Sequence, residues 1–317
     1  MATPQCAAVW PRRRLLRAAL VAAGVAPALA ACGRRPAEVA GPKLDYTTID
    51  QGPAIDRGPV GVDLPDTPSL RRIRERGTLV QSGVHTFPGF GLENPRTGNI
   101  AGFDAGMAQL LAKYLIGRPS VDTLVGSADA REAMLQNHTV DAVLSTYTIT
   151  ANRARLVNFA GPYLVVRSGV AVAADDTGIR TLQDLAGQVV AVQPGAADEA
   201  LRKAVPAARP VRFDQITQCA AALRQGRVRA WSANTAILLG RTAVDHRIRA
   251  TDIVFGRSPF GIGLPKDDPA FKQIVVEFLR QIMADGTWRR LWELTVGVLL
   301  GGATAPAPPE LGSEPGS

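Results

Sequence analysis

Few residues in this chain could do covalent or metal chemistry by type and spacing. The only histidines are His85, His138 and His246. None has metal-ligand spacing or stands beside a recognisable nucleophile, and His138 and His246 lie in polar turns where they read as solvated. The three cysteines, Cys6, Cys32 and Cys219, make neither a disulfide framework nor a metal motif, so no metal and no cofactor is expected. Non-covalent recognition is what remains. Arg153 lies five residues after Thr148, and a planar guanidinium can bond both oxygens of a carboxylate. The bland alternative is a surface arginine at the start of a helix, with Arg155 beside it.

Composition narrows the classes further. The chain has 317 residues, 46% hydrophobic and 20% charged, which is ordinary for a globular protein and long enough for about two lobes. Aromatics at 5% argue against a surface that stacks single-stranded bases. The net charge is +8, but Arg12, Arg13, Arg14 and Arg17 supply four of those charges with no acid among residues 1–31. No basic stripe is clustered elsewhere, so no nucleic-acid partner is expected.

Those four arginines precede an apolar run over 18–31 that is too short to span a bilayer and fits a secretory signal. The run ends in Leu29-Ala30-Ala31-Cys32-Gly33, similar to the lipobox of bacterial lipoproteins. Small residues before a cysteine suit a signal peptidase cleft, and the Cys32 thiol is the expected site of diacylglycerol attachment. A plain secretory peptide with an incidental cysteine is the alternative. Cleavage removes Cys6, leaving Cys219 as the one other cysteine, expected to be buried. Residues 32–68 carry six prolines and no apolar periodicity, and read as a disordered tether. Residues 299–317, rich in Gly, Ala and Pro, read as a disordered tail.

The part between alternates strands and helices. Helical patterns cover 69–76, 102–115, 128–136, 182–185, 198–204, 218–225 and 271–283. Strand patterns cover 78–84, 121–125, 140–145, 188–193, 211–213 and 228–232. Such alternation predicts an α/β fold with parallel sheets flanked by helices.

Six stretches in the right order then carry a family resemblance. Ile73-Arg74-Glu75-Arg76-Gly77-Thr78-Leu79 and Gly102-Phe103-Asp104 resemble the opening of the family 3 solute-binding proteins. Thr148-Ile149-Thr150-Ala151-Asn152-Arg153, followed by Asn158-Phe159-Ala160-Gly161-Pro162-Tyr163, resembles their most specific signature. Gly263-Leu264-Pro265-Lys266 and Asp285-Gly286-Thr287-Trp288 resemble their last segment, and the lipobox and Pro-rich ends are similar to actinobacterial glutamine/glutamate-binding lipoproteins. The resemblance implies a type II periplasmic-binding-protein-like fold, two α/β lobes joined by two crossover strands. Lobe 1 is then 69–166 plus 260–298 and lobe 2 is 167–259, with crossovers near 164–169 and 254–260.

The resemblance also implies the site. Arg153 takes the place of the ligand-carboxylate arginine, with Thr148 and the backbone of Thr146 as neighbours. Lobe 2 supplies the turn at Gly195 and Ala196, whose backbone donors remain although the usual hydroxyl is missing; Asp198 reads as an N-cap. Asn234 replaces an aspartate that holds the ligand ammonium, and Arg229 replaces a strand aspartate. Asparagine accepts one hydrogen bond without charge, so either the ligand lacks an α-ammonium, or it is bound weakly, or another acid has moved in. Phe87 and Phe90 either pack on a ligand side chain or belong to the core. No catalytic residue is expected. Two enzyme types share the architecture, a cyclohexadienyl dehydratase and a lytic type with an added domain; the first needs a pocket acid and the second has no room. The implied protein is a monomeric lipid-anchored receptor on the extracytoplasmic face of the cell membrane. It gives an amino acid or related carboxylate to an ABC permease, or else signals as a degenerate or sensory lipoprotein to a membrane partner.

The anchor has a direct test. Cys32→Ala should release the mature protein from the membrane to the medium, while an uncleaved N-terminus on protein from native cells rejects the assignment.

Overall fold

A computed structural model describes residues 49–317. The expected signal at 1–31, the expected attachment site at Cys32 and the expected tether as far as residue 48 lie outside the described residues. The chain enters through α1 (Gly52–Arg57), α2 (Pro68–Arg76), β1 (Leu79–Ser82), a small sheet of β2 (Thr86–Phe87), β3 (Gly91–Glu93) and β4 (Ile100–Ala101), then α3 (Phe103–Ile116). Next come β5 (Val121–Leu124), α4 (Arg131–Gln136), β6 (Ala142–Val143), α5 (Ala151–Leu156) and the long β7 (Asn158–Ala173). The second lobe follows as β8 (Val189–Val192), α6 (Ala196–Ala204), β9 (Arg209–Arg212), α7 (Ile216–Arg224), β10 (Ala230–Asn234) and α8 (Thr235–Thr242). The chain returns along β11 (Ile248–Leu264) and closes with α9 (Pro269–Ala284) and α10 (Thr287–Trp292).

The eight main strands run in the order β5-β1-β6-β11-β7-β10-β8-β9. Pairs within each lobe are parallel, β1 with β5 and β6, and β8 with β9 and β10. The exceptions are β7 and β11, the two crossover strands, which pair antiparallel from Asn158↔Leu264 to Ala173↔Ile248 and pass through both lobes. Their ladder shifts register at three places between Ala250 and Ile262, which loosens pairing where the chain changes lobes.

Local chemistry sets the helix starts. Thr67 caps α2 by accepting the Leu70 N–H at 3.2 Å, Asp268 caps α9 by accepting from Phe271 at 2.9 Å, and each cap is followed by proline. Gly102, at φ +143°, opens α3 where a Cβ would stand 2.3 Å from the Phe90 carbonyl carbon, so only glycine fits. The main core packs Phe103, Phe260, Trp288 and Phe278, and the Trp288 indole N–H donates to the Tyr163 carbonyl on β7 at 2.8 Å.

Two segments read as disordered are ordered where described. Within 49–68, the buried Gln51 accepts the Gly102 N–H at 2.7 Å and donates to Gln109 at 2.8 Å, while Ala54 and Ile55 are buried in the core. Lys113 Nζ reaches the carbonyls of Ile55 and Asp56, each at 3.0 Å. Of the prolines there, Pro53 and Pro68 stand in the first turns of helices rather than mark a tether. Within 299–317, Gly312 N–H donates to the Gly161 carbonyl at 2.8 Å and Phe159 N–H to that of Gly316 at 3.2 Å. Over 158–166 one side of β7 pairs with β11 and no strand covers the other. The tail satisfies that edge, which requires backbone groups and no apolar periodicity.

Asp104, 1% exposed in the first turn of α3, accepts from Thr146 N–H at 2.6 Å and from the Tyr163 hydroxyl at 2.8 Å. Burial raises its carboxyl from 3.8 to about 6, against the lowering effect of the two hydrogen bonds and the Arg131 charge. The folded protein therefore binds this proton more tightly than the unfolded chain, and stability is lost as pH rises through the folded value. A displacement from 3.8 to about 6 corresponds to about 3 kcal/mol. In urea unfolding, the stability of wild type minus that of Asp104→Asn should fall by about that amount between about pH 4 and about pH 7. A pH-independent difference rejects the assignment.

Candidate functional site

The lobes meet over a cavity of about 90 Å³. Its wall on the first lobe is built by the loop after β1, the start of α4, and the segment from β6 into α5; its wall on the second lobe is built by the turns before α6, α7 and α8. The lobes are in contact. Gly195 lies so near Arg153 that a Cβ there would be 3.3 Å from Nη2, and a Cβ on Gly240 of α8 would be 2.7 Å from the Pro88 carbonyl oxygen.

Arg153 sits in α5, whose cap Thr150 accepts the Arg153 N–H at 3.2 Å. Its Nε donates to Glu132 Oε1 at 2.9 Å, its Nη1 to the Thr148 carbonyl at 3.0 Å, and the plane lies over the Tyr147 ring at 4.6 Å. The Tyr147 hydroxyl donates to that same Glu132 oxygen at 2.8 Å. Thus the fork is fixed by three neighbours and Nη2 points across the cleft toward Gly195. Thr146 and Thr148 both line the cavity. Thr146 has φ +46°, an unfavourable value for a β-branched residue, and the bond from its N–H to Asp104 holds it there.

On the second lobe, Gly195 (φ +126°) and Ala196 line the cavity, and α6 begins with no side-chain cap. Its first-turn amides are therefore open to an anion. Asp198 is not the cap; Gly195 occupies that position, and Asp198 is buried three residues on, paired with Arg202 at 2.8 Å and Arg212 at 2.7 Å. Asn234 lines the cavity as placed by the sequence, but its role differs. It caps α8, with Oδ1 accepting the Ile237 N–H at 2.8 Å, so the group left for the cleft is the Nδ2 donor. Arg229 faces away and pairs with Asp176 at 3.1 Å.

Phe87 and Phe90 are core residues and not ligand contacts. They stack at 4.8 Å between centroids, are 1% and 2% exposed, and neither lines the cavity. The loop meets the cavity through His85 and Thr86. His138 is also not free, since its Nε2 lies 3.2 Å from Asp267. Cys219 is buried, and its thiol is pushed up to about 12 by that burial.

Sequence reasoning missed Arg131 and Glu132 at the start of α4. Arg131 lines the cavity, and its Nε has no hydrogen-bond partner. Burial, reinforced by the Arg153 charge, lowers its guanidinium to about 10, so it stays charged at neutral pH. No carboxylate among the described residues pairs with it: Glu132 is taken by Arg153, and both Asp104 oxygens by Thr146 and Tyr163. The signal available was an Arg-Glu pair opening a helix after β5, which carries no motif. Ser232, also on the wall, has a buried hydroxyl without a partner. Among the described residues no three His, Cys, Asp or Glu side chains gather as a metal set.

With this geometry in hand, comparison with known proteins is informative. The family profile of bacterial extracellular solute-binding proteins, family 3, matches residues 80–294. The glutamate-binding protein GluB of Corynebacterium glutamicum is 29% identical over 236 residues, 70% of this chain and 80% of that protein. The glutamine-binding protein of Geobacillus stearothermophilus is 31% identical over 204 residues, 63% of this chain and 78% of that protein. Among solved structures, the solute receptor for L-cysteine of Neisseria gonorrhoeae superposes with a TM-score of 0.68 at 26% identity, covering 75% of this chain and 97% of that one. An ancestral arginine-binding protein bound to glutamine gives 0.63 at 28% identity over 69% of this chain and 97% of its own. The match runs through both lobes and the cleft walls alike, and the chain belongs to the bacterial extracellular solute-binding proteins, family 3.

Proposed function

We propose that the cleft captures a small dicarboxylate, an acidic amino acid first among them, and that the loaded protein presents it to an ABC permease. The observation that carries this reading is the pair of guanidiniums on one wall, Arg153 with a carboxylate partner and Arg131 without one. A half-buried cation with a buried Nε and no carboxylate partner is costly, and a second ligand carboxylate removes that cost. Arg153 Nη2, with the amides of the α6 first turn, then takes the α-carboxylate, and Arg131 takes the other. Asn234 supports the same polarity, because a donor rather than an acceptor is what it has free. The names of the glutamate-binding relatives agree with this class. In this reading lobe 1 is 69–166 plus 260–298, lobe 2 is 167–259, and Cys32 anchors a monomer on the extracytoplasmic face of the membrane.

Calorimetry with L-glutamate, L-glutamine and glutarate tests the ligand class. Wild type should prefer L-glutamate to L-glutamine by about ten-fold or more, since one charged hydrogen bond in place of a neutral one is worth about 1.4 kcal/mol. Arg131→Met should remove that preference, and Arg153→Ala should cost about 3–5 kcal/mol for every carboxylate ligand. Equal affinity for L-glutamate and L-glutamine in wild type rejects the reading.

Asn234→Asp separates the ammonium contribution. Aspartate caps α8 as well as asparagine does, so the fold is preserved while one charged oxygen is added to the cleft. The affinity ratio of L-glutamate to glutarate should rise about ten-fold; an unchanged ratio shows that residue 234 does not meet the ammonium.

A further inference from the structure

Residues 303–317 lie along the crossover strands and grip both sides of the place where the register shifts. On the first-lobe side the tail is tied by Gly312 N–H to the Gly161 carbonyl, by Phe159 N–H to the Gly316 carbonyl, and by Lys272 Nζ to that same carbonyl at 3.0 Å. Between those two anchor points of the tail, Glu314 makes an ion pair with Arg257. Arg257 sits on the bulge between the pairs Phe255↔Ser168 and Ser258↔Val166, beside Gly256 at φ +57°. Gly256 packs so closely on α6 that a Cβ there would be 3.0 Å from Ala200 Cβ. The same helix α6, contacted there at its middle, begins at the Gly195 turn that meets Arg153 across the cleft. The tail's charged side chains are two acids, Glu310 and Glu314, with no base, and the facing strands carry Arg167 and Arg257. Between tail and strands, beside Leu164 and Val165, a cavity of about 330 Å³ leaves room for the strands to shift.

We propose that 303–317 is a strap across the hinge that favours the closed cleft and so sets the fraction of protein ready to hold ligand. The anchors move with the first lobe and Arg257 with the bulge that leads into the second. Opening the lobes therefore separates Glu314 from Arg257, and the pair is made in the closed arrangement. A partly exposed ion pair contributes little by itself, so its removal should act gently and removal of the whole strap more strongly.

The test uses the full chain with Cys6→Ser and Cys32→Ser, and spin labels on Asp129→Cys in the first lobe and Lys203→Cys in the second. Distances are read without ligand, so the outcome is independent of which ligand the cleft takes. A chain ending at Gly302 and the point variants Glu314→Gln and Arg257→Gln should shift the distribution toward longer distances. The exchanged pair Glu314→Arg with Arg257→Glu should restore it. Apparent affinity for L-glutamate should weaken by about three-fold in Glu314→Gln and about ten-fold in the shortened chain, following the closed fraction. If the shortened chain does not fold, the point variants decide. Unchanged distances in Glu314→Gln and Arg257→Gln overturn the proposal, as does a shift that the exchanged pair leaves uncorrected.

Discussion

The antiparallel ladder between Asn158–Ala173 and Ile248–Leu264 is the constraint on which the other features depend. Because both strands pass through both lobes, each lobe's parallel strands are built outward from one shared pair. A two-stranded connection is stiff along the strands and soft in twist, and here it is softened further by three shifts of register. Rocking of the lobes about this pair would strain the ladder first at the bulges, where the pairing is already interrupted. It follows that small contacts beside the bulges have influence out of proportion to their strength. Gly256 against Ala200, and Arg257 against Glu314, are such contacts.

In the proposed reading, the selectivity of the cleft comes from the two guanidiniums that share its first-lobe wall. Arg131 and Arg153 stand on one wall, where the Arg153 charge weakens the hold of Arg131 on its proton and Glu132 pairs with Arg153. In the open cleft water screens both cations; in the closed one it cannot. A ligand with two anionic groups would turn that repulsion into attraction, whereas a neutral side chain would leave the half-buried Arg131 without a carboxylate. Discrimination of this kind comes as much from the cost imposed on the wrong ligand as from contacts to the right one.

Much of this was legible in the sequence, and the misreadings share a cause. The strand–helix alternation follows from pattern, and the crossover strands and the grouping of Arg153, Thr146, Thr148, Gly195 and Asn234 follow from the family resemblance; those five residues line one cavity. The tail and residues 49–68 were misread because proline content correlates with disorder, while docking there is done by backbone groups and by Gln51, which leave no periodicity. Phe87 and Phe90 stood next to the right loop but face the core; a stretch so short in alternation does not reveal which face is wet. Asn234 was read as an acceptor for ligand because its neighbour in space, the Ile237 N–H, is fixed only once α8 begins at the next residue. Arg131 belongs to no motif, and its significance lies in what fails to surround it.

Asp104 shows how the fold and the site are joined by one group. Its two oxygens hold the strained Thr146 turn on the cavity wall and the Tyr163 hydroxyl on β7, and the Tyr163 carbonyl in turn takes the Trp288 indole. Burial disfavours the charge on Asp104, yet the charge makes its bond to Thr146 about twice as strong as a neutral one. Taking up a proton therefore stabilises the folded chain and at the same time weakens the grip on the turn that lines the cavity. Stability and definition of the site move in opposite directions with pH. A carboxylate kept at this buried position, where a hydrocarbon of similar size would serve the core better, is explained by what it does for Thr146 rather than by what it does for folding.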